Sequence, residues 1–359
     1  MALRIYTAAE LAVWSSARAN EQRLAKQLLL PDPSLPLHQT LQQARGQGSR
    51  FAILGIPEDI GPRGNLGKGG SELGWQAFLK VWLNLQANQF SEAFGPVLLA
   101  GEVDCQDLLQ QSQALDPQQP EQLNQLRQLC AALDQRVEDA VAPLFAAGFD
   151  LLVIGGGHNN AYPLIKALAQ QSGQPVSCAN LDPHADFRPQ EGRHSGNGFS
   201  YAKAEQLLDK YFVLGLHELK NNQASLDAMR QAEVEWISLQ ALSPREELSW
   251  SEALDRCVDF VANSEGAIGI ELDTDSIELM PVSAFTSSGL TVQAAERYIY
   301  QLAQLPRCRY LHLAEAAPSR HPAGVEAGLA HSGQVLSSLC YAFLQARAKL
   351  EAQTIAATV

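Results

Sequence analysis

From residue 150 onward, short apolar runs alternate with stretches of helical periodicity, and this alternation most limits the folds open to the chain. The runs are 150–155 (DLLVIG), 176–181 (VSCANL), 211–215 (YFVLG), 234–238 (VEWIS), 267–272 (AIGIEL) and 308–314, preceded by 51–56 and 97–100. Strands of this kind, separated by helices, predict a parallel sheet with helices on both faces: an α/β fold. In such sheets ligands sit beyond the carboxyl ends of the strands.

Around this pattern the chain divides simply. Residues 1–48 read as an N-terminal extension, helical in part and ending in a Pro- and Gln-rich stretch. Residues 49–350 read as one domain, and 351–359 as a tail. A Gly/Pro loop, PEDIGPRGNLGKGG (57–70), leads into a helix opened by Ser71-Glu72. Ten Gln fall between 104 and 136, with Pro117 and Pro120 among them, and predict a solvated insertion near 104–125. The last helix is expected over about 322–348.

The chemistry lies just after three of the predicted strands. Gly155-Gly-Gly-His158 follows the first, Asp182-Pro-His184-Ala-Asp186 the second, and Asp273-Thr-Asp275 the third. Alternate residues of an extended segment point the same way, so D-x-H-x-D and D-x-D can each aim their polar groups into one site. Each motif is weak by itself, because Asp at a strand end is often only a turn or cap residue. Together they place four carboxylates and two imidazoles on one sheet edge, an arrangement costly without cations. Two divalent ions would offset the four negative charges, and a carboxylate-rich set favours hard ions such as Mn²⁺, at two per chain. Such a pair acidifies water into a nucleophile near neutral pH, which is hydrolytic machinery.

These residues resemble the ureohydrolase family of arginases, agmatinases and formimidoylglutamases, whose pattern is Gly-Gly-x-His, then D-A-H-x-D, then S-x-D-x-D. Here the segments read GGGH (155–158), DPHAD (182–186) and ELDTD (271–275). The resemblance runs from about 51 to about 345 and implies a three-layer α/β/α fold, with a mainly parallel central sheet and a binuclear Mn²⁺ centre. By carry-over, one ion takes His158, Asp182, Asp186 and Asp273, and the other Asp182, His184, Asp273 and Asp275. Glu315 matches the family's final-strand Glu, which faces the substrate's cationic nitrogens. The departures are Gly157 for Asp, Pro183 for Ala, Glu271 for Ser, Ser276-Ile-Glu278 for the usual ending, and Ala316-Ala317 after the Glu. None removes a metal ligand.

Within the family the chain is most similar to the formimidoylglutamase branch, through GIPEDIGPRGN (55–65) and FRPQEGRHSGNGF (187–199). That implies hydrolysis of N-formimidoyl-L-glutamate to L-glutamate and formamide in histidine degradation. Alternatives are another ureohydrolase that releases urea, or a catalytically silent metal-binding relative. Arg188 is expected to hold a substrate carboxylate, Arg63 a second one, and Asn197 to touch substrate. His194 is a proton-shuttle candidate, or simply an exposed loop residue. His217 either lines the pocket or caps a helix. Phe199 falls where arginases carry a His. His38, His312, His321 and His331 read as structural.

The partners follow from charge. With 26 Lys+Arg against 39 Asp+Glu, a net charge of −13 argues against nucleic-acid or anionic-membrane partners and leaves a small-molecule substrate. A homo-oligomer stays open. No apolar run reaches transmembrane length, and the first residues lack a secretory core, so a cytoplasmic enzyme is expected. The six cysteines show no metal-type spacing and read as reduced, buried thiols.

Overall fold

In the computed structural model, which describes residues 2–16 and 18–358 (side chains through Gln353), ten strands form one sheet. They are β1 (Leu3–Arg4), β2 (Leu28–Leu29), β3 (Phe51–Gly55), β4 (Val97–Val103), β5 (Asp150–Ile154), β6 (Val176–Leu181), β7 (Leu208–Leu216), β8 (Glu235–Ser238), β9 (Ile268–Asp273) and β10 (Cys308–Ala314). The order is β1-β4-β3-β5-β10-β9-β6-β7-β8, with β2 also on β4. Every pairing is parallel except β1 with β4.

The central strands are buried on both faces, as continuous apolar runs require. Their side chains alternate between two cores. On one face Phe51, Ile53, Leu152 and Ile154 meet the helices Gly74–Trp82, Trp250–Ala262, Val292–Leu302 and Val325–Thr358. On the other, Ala52, Leu54, Leu151 and Val153 meet the helices Leu37–Gly46, Pro120–Ala146 and Ala161–Ser172. This is the expected three-layer α/β/α arrangement.

Three expectations about the periphery change. The N-terminal segment is helical in part, as read, but it also adds two short strands to the sheet, since β1 and β2 both cover the outer edge of β4. Tyr6 reinforces this: its hydroxyl meets the Glu102 carboxylate and accepts from Trp75 Nε1 at 3.0 Å. Covering an edge strand removes a row of unpaired backbone groups. The Gln-rich segment is two helices, Gln106–Gln113 and the start of Pro120–Ala146, and Leu108 and Leu109 are buried beneath its polar face. The last helix does not stop near 348 but continues to Thr358, so only Val359 of the expected tail lies outside the described residues. No helix among the described residues is long and apolar enough to cross a membrane.

Candidate metal centre

Strands β5, β10, β9 and β6 are neighbours, and their carboxyl ends carry His158, Glu315, Asp273 with Asp275, and Asp182 with His184 and Asp186. The local sequence builds each turn. Asp182 Oδ1 accepts from the His184 N–H at 2.7 Å, and Asp273 Oδ1 accepts from the Asp275 N–H at 2.8 Å. In both motifs an Asp thus folds its own carboxylate over the backbone two residues on, a turn its short side chain favours. Asp186 (φ 45°) and Glu315 (φ 66°) both lie in the left-handed region, where non-glycine residues are uncommon and tend to mark functional sites. Gly157, where the family carries Asp, packs so closely on Pro62 of the 57–70 loop that a Cβ there would overlap the proline ring.

The six side chains converge. His158 is fully buried, and its Nδ1 lies 3.1 Å from Asp182 Oδ2, 2.9 Å from Asp186 Oδ2 and 3.7 Å from Asp273 Oδ2. His184 Nδ1 stands 3.5 Å from the other Asp182 oxygen and 3.8 Å from Asp275 Oδ2. Two groups of ligand atoms result, each within 4.8 Å: His158, Asp182, Asp186 and Asp273, and then His184, Asp273 and Asp275. Asp273 belongs to both, and Asp182 puts one oxygen toward each imidazole.

Electrostatics explains what this cluster needs. Burial would push the His158 imidazole down, but the carboxylates of Asp182, Asp186, Asp273 and Glu271 hold it well above its ordinary value. His184 is likewise raised to about 9 against its burial, chiefly by Asp182. The two imidazoles hold Asp182 below its usual range despite burial. Burial and neighbouring carboxylates push Asp186 up to about 6 and Asp275 well above the carboxylate range. Two imidazoles stand against four carboxylates, so the cluster carries negative charge that its own side chains do not balance. His158 Nδ1 and Asp275 Oδ1 are moreover buried without a hydrogen-bond partner. Divalent cations would answer both problems, so the donor set fits them.

Over the cluster opens a cavity of about 420 Å³, lined by His184, Asp186, Asp273, Asp275 and Glu315 on its floor. Glu315 accepts the His158 N–H on one oxygen. Burial and the Asp273 and Asp275 carboxylates raise its pKa well above the ordinary value. Arg188 lines the wall, as expected of a substrate contact, and so does Lys220, which the sequence reading passed over. Neither side chain is bonded or ion-paired to protein among the described residues.

Other expected contacts are elsewhere. Arg63 turns away from the cavity and donates to Ser112 Oγ (3.0 Å), Ser112 O (2.7 Å) and Leu115 O (2.8 Å), so it clamps the Gln-rich helices. Asn197 is consumed by its own loop, accepting from Arg193 Nη1 and donating to Gly192 O. His194 is neither exposed nor in the cavity. It is fully buried and its Nδ1 accepts from the Gly196 N–H; its Nε2, 3.3 Å from Glu191 Oε1, makes no hydrogen bond. Burial and the surrounding arginines lower its pKa to about 3. Phe199 does not line the cavity either; its ring stands edge-on to His158 at 5.3 Å and stacks on Tyr211 at 4.2 Å. His312 is no isolated core residue: its Nδ1 is 2.7 Å from Glu271 Oε2.

The family model for the arginase family matches residues 49–339. The chain is 32% identical over 171 residues to formimidoylglutamase from Macrococcus caseolyticus, an alignment covering 46% of this chain and 53% of that protein. It is 31% identical over 208 residues to the Chromobacterium violaceum formimidoylglutamase, covering 55% and 59%. The chain thus spans a little over half the length of these curated relatives. In fold it is similar to formimidoylglutamase from Bacillus subtilis, with a TM-score of 0.70 and 15% identity over 91% of this chain and 93% of that one. Trypanosoma cruzi formiminoglutamase with Mn²⁺ gives a TM-score of 0.65 and 19% identity over 87% and 98%.

Proposed function

Since the chain belongs to the arginase family, we propose that it is a binuclear manganese hydrolase acting on N-formimidoyl-L-glutamate, yielding L-glutamate and formamide. His158, Asp182, Asp186 and Asp273 would hold one ion, and Asp182, His184, Asp273 and Asp275 the other. When bound, the pair supplies Lewis acidity and a water of lowered pKa.

The observation that carries the substrate choice is the pairing of Arg188 and Lys220 on the wall of a cavity whose floor is acidic. A substrate with a cationic amidine at one end and two carboxylates at the other matches that polarity. Arg188 offers a planar fork that holds a carboxylate bidentately, and Lys220 a point charge for the second. An amine-tailed substrate such as agmatine would meet two cations instead. At the floor, the free oxygen of Glu315 faces the formamidinium nitrogens. Water adds to the formimidoyl carbon, the bond from that carbon to the glutamate nitrogen breaks, and the nitrogen leaves with a proton as formamide separates. This chemistry fits a cytoplasmic step of histidine degradation.

The test is kcat/KM of Mn²⁺-loaded protein on formimidoylglutamate, arginine, agmatine and guanidinobutyrate. Formimidoylglutamate should lead by orders of magnitude. Turnover of a guanidino compound to urea, with none of formimidoylglutamate, would move the chain to another branch. No turnover of any, with metal bound, would make it a silent relative.

A further inference from the structure

Beneath the carboxylate cluster lies a second buried polar layer that the proposed reaction does not use. Glu271 and Asp273 sit two residues apart on β9 and so point to the same side of the sheet. Glu271 is fully buried. Its Oε1 accepts from the Tyr310 hydroxyl at 2.7 Å, while its Oε2 lies 2.7 Å from His312 Nδ1 and 3.3 Å from His158 Nε2, which is buried and makes no hydrogen bond in this structure. The sheet register makes this possible. His312 is directly opposite Glu271, and Tyr310 is opposite Gly269, where any Cβ would run into the tyrosine ring.

We propose that Glu271 is a positioning residue for the metal centre: with an ion among Asp182, Asp186 and Asp273, it would take the Nε2–H of His158 and so leave the Nδ1 lone pair of the same imidazole to the ion. The inference rests on the metal centre proposed above. Three observations support it. His158 Nδ1 is the nitrogen that faces the three carboxylates and would ligate an ion among them, which leaves the ring proton on Nε2, and Glu271 is the carboxylate beside Nε2. A buried carboxylate is a costly occupant of a central strand, where an apolar residue would pack more cheaply. Tyr310 fixes Oε1, and His312 holds Oε2, the oxygen nearest His158 Nε2. A carboxylate behind a ligating imidazole fixes the ring's tautomer and orientation and makes it a stronger donor.

Replacing Glu271 by Gln tests this at nearly constant volume. In the ion-bound site proposed here, three groups would donate to the two oxygens of Glu271: the Tyr310 hydroxyl, His312 Nδ1 and His158 Nε2. Gln offers one oxygen and one NH₂, so at least one partner must reverse its role, and a reversed His158 presents an N–H to the metal. Mn²⁺ binding to metal-free protein, read by the EPR signal of free Mn²⁺, should weaken by about 10–100-fold at the tighter site in Glu271→Gln. Tyr310→Phe leaves the carboxylate in place and should stay within about 3-fold of the parent, separating the effect from disturbed packing. Thermal unfolding of the metal-free variants checks the fold. A folded Glu271→Gln with parental Mn²⁺ affinity overturns the inference, whereas a parent that binds no Mn²⁺ sinks the metal centre itself.

Should Glu271→Gln fail to fold, NMR of the ¹⁵N-histidine-labelled parent protein with Zn²⁺ in the site gives the answer. A downfield, exchange-protected proton on His158 Nε2 supports the inference. A rapidly exchanging one overturns it.

Discussion

The backbone N–H of His158 donates to Oε1 of Glu315 at 2.9 Å, tying the end of β5 to the end of β10 across the floor of the cavity. One carboxylate oxygen is thereby fixed and the other is presented to the cavity. Glu315→Gln keeps an acceptor for this bond and removes the charge. Its Mn²⁺ content should match the parent, while kcat falls by at least about 100-fold, as expected when a preorganised charge at a reacting cation is lost. Metal analysis alongside steady-state rates separates the two; a parental rate would remove Glu315 from the reaction.

Asp273 belongs to both ligand groups and Asp275 to one. Asp273→Ala should therefore drop bound Mn²⁺ from about two per chain toward zero, and Asp275→Ala only to about one. Equal losses in the two variants would contradict the assignment of Asp273 as the shared ligand.

Arg188 and Lys220 should affect KM for formimidoylglutamate unequally. Losing a bidentate, charge-assisted pair costs about 1.5–3 kcal/mol, so Arg188→Ala should raise KM by about 10–100-fold. Lys220 is exposed, and its charge is worth ~1 kcal/mol or less, or roughly 5-fold. Arg63→Ala should leave KM within about 2-fold and lower stability by ~1–2 kcal/mol, because its partners are Ser112 and Leu115. Initial-rate titrations and denaturant curves on the same three variants check all of this.

His194 predicts acid lability. Its folded pKa, about 3, lies below the unfolded value of 6.5. Between those values the unfolded chain binds a proton that the folded chain refuses, so stability is full above pH 6.5 and is lost as pH falls toward 3. The loss is on the order of 4 kcal/mol over that window. In metal-free protein, His194→Asn, whose Oδ1 can still accept from Gly196, should show a shallower decline in melting temperature below pH 6.5. An unchanged slope would mean that His194 is not the group being titrated.

What the sequence reveals about this molecule depends on how far each signal reaches. The 176–181 and 308–314 strands stand in the fold at those residues, and the six metal-binding candidates meet because each lies at the carboxyl end of a strand or a few residues past it. Strands β1 and β2 are two residues long, too short for any periodicity, so the N-terminal segment read as an appendage. Arg63 and Asn197 fall in the right segments but turn elsewhere. Arg63, in the short helix Ile60–Gly64, reaches Ser112 and Leu115 far along the chain, and Asn197, in the 3-10 turn Ser195–Asn197, closes its own loop; neither partner set shows as a pattern. Lys220 is an isolated charge after a strand and carries no pattern. Glu271 did leave a trace: it precedes Asp273 by one strand period and replaces the family's small Ser, which marks an added buried charge.

The strand order bears on when the centre can exist during synthesis. His158 and Asp182 are made early, at the ends of β5 and β6, yet these strands are not neighbours. Two later strands, β9 and β10, are inserted between them. A nascent chain that has not yet emerged past Glu315 lacks the middle of its own sheet, so the two halves of the ligand set have no fixed distance between them. Contacts so remote along the chain form slowly. Ion capture is therefore a late event, coupled to closure of the sheet, and a chain truncated anywhere before β10 is expected to have no metal centre at all, not a weakened one.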